Sequence, residues 1–128
     1  MRAAWIYAGL TVVVVAFHLS LILGAPLGHL TMGGRWQGAL PAEGRMVSAV
    51  SMLLLTALAL VVLARAGVLR WRLPRWAIWG VVAYMGLAVV VHVITPSAPE
   101  RALWLPQILV MLVCAVVVAR QRKNVSIR

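Results

Sequence analysis

Acidic residues are almost missing from this chain. Two glutamates, Glu43 and Glu100, and no aspartate stand against twelve lysines and arginines. A membrane-embedded carboxylate is what ion-coupled export uses to carry its charge, and neither glutamate lies in a long apolar run, so that mechanism is not expected. There is one cysteine, Cys114, inside an apolar run. It excludes an internal disulfide and a Cys-x-x-Cys redox or zinc motif. Glycine-rich phosphate-binding patterns of the GxGxxG and Walker types are also absent, and nothing in the sequence asks for a cofactor.

What is present is apolar. Hydrophobic residues make up 64% of the chain and charged ones 11%, whereas soluble domains hold about 45–50% and about 25%. That departure places the chain among integral membrane proteins, as a single domain over residues 1–128. The net charge of +10 does not indicate a nucleic-acid partner. The charges sit at the ends of apolar segments, where topology puts them, and leave no soluble basic face for phosphates.

Four apolar runs are each long enough, at roughly 20 residues, to cross the hydrocarbon core as a helix. The expected fold is an all-α bundle of four transmembrane helices at about 3–23, 46–64, 76–95 and 103–119. The first run is too long for a signal-peptide core, and Leu23 and Pro26 spoil a cleavage site, so it reads as a retained anchor. Tyr7, Thr11 and His18 fall on one face of that helix and are expected to point at other helices. Ser48, Ala49 and Ser51 in the second run, and Gly80, Ala83 and Gly86 in the third, thin those helices for close packing. Met85 and His92 share a face beside Tyr84, and Gln107, Met111 and Cys114 form a mild polar stripe. Ser97 and Glu100 have capping-box spacing, so a helical turn is expected to start there.

The one long stretch that is neither apolar nor a basic flank is 24–45, GAPLGHLTMGGRWQGALPAEGR, with six of the ten glycines. Pro26, Pro41 and the Gly33-Gly34 pair prevent a regular helix across it. Leu27, Leu30, Met32, Trp36 and Leu40 make it too apolar for a freely solvated loop. It is expected to lie back against the bundle, as a cap over the helix ends or, given glycine's freedom, as a cradle for a ligand. Gly33, Gly34, Arg35 and Trp36 are its candidate functional residues.

Charge sets the orientation. Nine basic residues (Arg2; Arg65, Arg70, Arg72, Arg75; Arg120, Arg122, Lys123, Arg128) fall on the side of the termini and second loop, three (Arg35, Arg45, Arg101) on the other. The positive-inside rule puts both termini in the cytoplasm and loop 24–45 outside. The cytoplasmic arginines then face anionic lipid headgroups, at about 1 kcal/mol each near the surface. Trp36 and Trp104 are assigned to the outer interface, Trp5, Trp71, Trp76 and Trp79 to the inner one.

This orientation gathers His18, His29, His92, Glu43 and Glu100 in the outer half, five groups able to hold a proton or a metal. No two of the histidines share a local ligand motif such as i, i+4, so packing histidines are the competing reading.

The segments GAPLGHLTMGG, GALPAEGRMVSAV and TPSAPERALWLP resemble those of an uncharacterised family of small four-helix bacterial inner-membrane proteins. The resemblance implies a bacterial inner (plasma) membrane and the same fold, and carries no activity. Three function classes follow. The first is a non-enzymatic protein acting through helix packing and its outer loop, as a homo-oligomer or a membrane partner subunit. The second is a small transporter or a pH- or metal-responsive sensor using the outer histidines. The third is a lipid-directed enzyme using Glu43, Glu100 and the histidines as acid and base.

Overall fold

A computed structural model describes residues 2–121; Met1 and the basic tail 122–128, with three of the charges counted above, lie outside the described residues. The apolar runs form helices α1 (Arg2–Ile22), α2 (Ala42–Arg65), α3 (Ala77–Ile94) and α4 (Ala98–Arg120). All four are long and apolar enough to cross a membrane. The outer surface is apolar as well: Leu53 is 75% exposed, Leu87 62% and Val113 61%. A surface of that kind is stable against lipid tails and not against water.

Two helix starts lie earlier than expected, and both matter. Helix α2 begins at Ala42 instead of 46. Pro41 occupies its N-cap position and Glu43 stands in the first turn, where a carboxylate favours the amino-terminal end of the helix dipole. Helix α4 begins at Ala98 instead of 103. The Ser97 hydroxyl caps it by accepting the Glu100 N–H at 3.3 Å, with a proline in the first turn, a position where proline's missing donor costs nothing. The helix then runs on through Pro106 without interruption. Glu100 is therefore part of a spanning helix and buried, so the expectation that no acid sits in any span is overturned. Counting apolar residues starts the span after Arg101, because a charged pair looks like loop.

Helix α4 is the centre of the bundle, with 39% of its most apolar window buried against 17% for each of the others. Trp104, Ile108, Met111, Ala115 and Val118 recur every three or four residues and form its buried stripe, the spacing that keeps one helix face toward its neighbours. α1 packs on α2 and α4, and α3 on α4; α2 meets α3 over a short stretch and α4 over a shorter one. Tyr7 and Thr11 do face inward. Thr11 also donates back to the Tyr7 carbonyl at 2.9 Å, which satisfies its hydroxyl within the helix. Gly80 and Ala83 are exposed instead, and no heavy atom lies within 4 Å of a Cβ built on Gly80.

At the end that carries the termini, Trp5, Trp71, Trp76 and Trp79 are all at least half exposed, as aromatic residues at a bilayer interface are. Arg65 of α2 donates to the carbonyls of Gln121, at 2.7 Å, and Ala119, at 3.5 Å. It closes the carboxyl end of α4, where the orphan carbonyls favour a cation.

Candidate functional site

The glycine-rich loop lies folded onto the opposite end of the bundle. It makes two short 3-10 turns, Gly28–Leu30 and Met32–Gly34. Two glycines shape it. Gly28 donates to the Gly38 carbonyl at 2.8 Å, and a Cβ on it would collide with the carbonyl oxygens of Trp36 and Gly38. Gly33 has φ of 71°, in the left-handed region where a side chain is strained. That turn aims the Gly33 N–H down at the bundle.

Its acceptor is Glu100. Oε2 of Glu100 receives the Gly33 N–H at 2.9 Å and the Thr95 hydroxyl at 3.1 Å. Two further bonds tie the loop to α4: the Ser97 hydroxyl donates to the His29 carbonyl at 2.8 Å, and the Trp104 indole N–H donates to the Leu30 carbonyl at 2.8 Å. Arg101 donates to the Thr95 carbonyl at 2.6 Å and holds the turn from α3 into α4. The Ser97–Glu100 pair thus makes half of a capping box. The serine caps the helix, but the glutamate reaches the loop instead of returning to the Ser97 N–H. Trp104 is correspondingly buried against Phe17, ring centroids 4.7 Å apart, and is not the interfacial anchor the sequence suggested.

Beneath this cap is a cavity of about 210 Å³ between the helices. Phe17 and His18 of α1, Ser51 and Leu55 of α2, Tyr84 and His92 of α3, and Glu100 and Trp104 of α4 line it, with Thr31 and Met32 of the loop above. The walls deeper in the bundle are apolar, among them Val14, Met85, Ile108 and Met111. Of the four pairs of neighbouring helices, α2 and α3 touch least, so their seam is the weakest side of the wall.

Of the five acid and histidine candidates, three meet here. His92 Nε2 stands 3.8 Å from Glu100 Oε1, and His18 lines the same cavity with its Nδ1 buried and unpartnered among the described residues. His29 offers the site only its carbonyl, and Glu43 is exposed on the first turn of α2; neither lines the cavity. Among the described residues, no three His, Cys, Asp or Glu side chains stand together as a metal site. Of the loop candidates, Gly33 and Gly34 form the turn at the latch, while exposed Arg35 stacks on Trp36 with its guanidinium 4.8 Å from the ring centre.

The His92–Glu100 geometry has a definite proton requirement. Nδ1 of His92 is 2.7 Å from the Ala88 carbonyl. A carbonyl only accepts, so Nδ1 carries the hydrogen. A neutral His92 would then point its Nε2 lone pair at Glu100 Oε1, acceptor against acceptor. A proton on Nε2, which makes the two an ion pair, or a donor placed between them, removes the conflict. Sequence reasoning did not foresee the parts played by Thr95 and Trp104. The one hint was the crowding of Thr95, Ser97, Glu100 and Arg101 into seven residues.

Compared with family models, with curated proteins and with solved structures, the chain has no match in any of the three.

Proposed function

We propose that this chain is a non-enzymatic, proton-responsive multi-pass protein of a bacterial inner membrane, with its termini in the cytoplasm and its glycine-rich loop outside. The resemblance noted in the sequence and the charge asymmetry of the loops support the membrane and the orientation. The working part is the latched end. Glu100 holds the loop through Gly33, and the proton shared with His92 sets how firmly it does so. The observation that carries this reading is the Nδ1 bond of His92 to Ala88, which leaves Nε2 facing Oε1 at 3.8 Å.

Two donors already converge on Oε2, as they would on a carboxylate, so a proton brought to the pair belongs on the imidazole. The other groups facing the pair are His18 of α1 and Tyr84 of α3. α2 presents only Ser51 and apolar side chains, the loop presents Thr31 and Met32, and Arg101 is turned to the Thr95 carbonyl. Among the described residues no other fixed charge lines the cavity, so removal of the proton from His92 leaves the carboxylate without its cation. The latch then loosens. Hydrogen exchange of the loop amides at several pH values, in wild type and in His92→Ala, tests this directly.

A second reading, a subunit of a homo-oligomer or of a membrane complex, rests on the outward-facing Gly80 and Ala83. Small residues on a lipid-facing helix surface allow close approach of another helix. Cross-linking in native membranes, with and without Gly80→Leu, distinguishes a specific contact from none.

A further inference from the structure

The latch accounts for Oε2 of Glu100, but not for Oε1. Oε1 accepts no hydrogen bond from the described residues, and neither does Nε2 of His92. Both residues line the cavity. Two acceptors 3.8 Å apart can both lie within ordinary hydrogen-bond distance, about 2.9 Å, of a single nitrogen. The conflict that a proton resolves can therefore also be resolved by an ammonium group, which brings its own hydrogens and its own charge.

The rest of the cavity suits what such a group would carry. Phe17, Tyr84 and Trp104 form aromatic walls, and aromatic faces attract cations. Farther from the loop the lining is aliphatic and thioether. A dry apolar cavity of about 150 Å³ accommodates benzene, and this one, at about 210 Å³, has room for a ring with a short tether. The thin contact between α2 and α3 gives an amphiphile a way in from the bilayer.

The geometry points to a lipophilic amine as the ligand of this cavity, its ammonium seated between Glu100 Oε1 and His92 Nε2 and its apolar body between Phe17, Trp104 and Leu55. This inference rests on the proton-responsive reading, because the same two atoms serve both. It adds a ligand and a linkage. The ammonium needs the carboxylate and a neutral imidazole, so it competes with the shared proton, and its binding releases that proton. Affinity for the amine therefore rises with pH.

The test is equilibrium binding of 2-phenylethylamine to the full-length protein in detergent micelles between pH 6 and pH 8, with 2-phenylethanol as the uncharged control. Leu55→Trp fills the cavity from α2 without touching the latch, and Glu100→Gln removes the charge. Expected are saturable binding of the amine, at least tenfold weaker binding of the alcohol, a rise in amine affinity with pH, and a loss of at least tenfold in Leu55→Trp and in Glu100→Gln. Absence of saturable amine binding to wild type, equal binding of the alcohol, or binding unaltered in Leu55→Trp overturns the amine site. Loop hydrogen exchange on the same samples separates the two ideas. If it still changes with pH through His92 while no amine binds, the amine site fails alone; if it is flat with pH, the proton-responsive reading fails with it.

Discussion

Glu100 on α4 accepts a hydrogen bond from the backbone of Gly33, 67 positions earlier in the chain, at 2.9 Å. That bond joins the one buried acid of the bundle to the glycine-rich segment that Pro26, Pro41 and the Gly33-Gly34 pair keep from forming a regular helix. It turns a glycine-rich connection into a fixed cap.

Replacing Glu100 by glutamine keeps an acceptor for Gly33 but removes the charge. Hydrogen bonds to charged groups contribute about 1.5–3 kcal/mol and neutral ones about 1 kcal/mol. The expected loss is roughly 1–2 kcal/mol, seen as a lower unfolding temperature in detergent and faster proteolysis within 28–38. Glu100→Ala, which leaves the Gly33 N–H without its partner, is expected to lose more than Glu100→Gln.

The two loop glycines predict an ordered pair of effects. Gly33→Ala meets its nearest neighbour, Pro96 Cδ, at 3.7 Å, so its cost is the left-handed backbone, roughly 1–2 kcal/mol. Gly28→Ala drives a methyl into backbone carbonyls that no side-chain rotation can move. Limited proteolysis is expected to show a loop that still closes in Gly33→Ala and one that does not in Gly28→Ala.

Trp104→Phe keeps an aromatic ring against Phe17 and removes the donor to the Leu30 carbonyl. The cost is about 1 kcal/mol for the hydrogen bond, with α4 intact by circular dichroism. Increased exchange is confined to the amides of the first 3-10 turn and its flanks.

Much of this fold was legible in the sequence, because lipid-facing helices must satisfy their own backbone and announce themselves as long apolar runs. The four runs became α1 to α4, and the loop that was too apolar to be solvated lies on the bundle, with Leu40 2% exposed. The inward face of Tyr7 and Thr11 followed from helical spacing. What escaped was the end of a helix. Pro99, Glu100 and Arg101 look like solvent-exposed connection until Ser97 caps them and Gly33 meets the carboxylate, a contact between segments far apart in the chain that no local pattern encodes. The same blindness put Trp104 at the interface. A tryptophan near a membrane boundary has two uses, and only the position of the Leu30 carbonyl decides between them. Likewise the five outer acids and histidines looked like one group, yet only His18, His92 and Glu100 line the cavity. His29 and Glu43 sit on backbone that carries their side chains elsewhere.

The proposed coupling of the His92 proton to the Glu100 latch is the centre of the account, and hydrogen exchange at the Gly33 amide reads it most directly. A protonated His92 gives the Glu100 carboxylate its cation, 3.8 Å away. With intrinsic exchange rates divided out, protection at Gly33 is predicted to be higher at low pH than at high pH. In His92→Ala that step is predicted to vanish. Protection that stays level with pH in wild type, or an identical step in His92→Ala, would contradict the account.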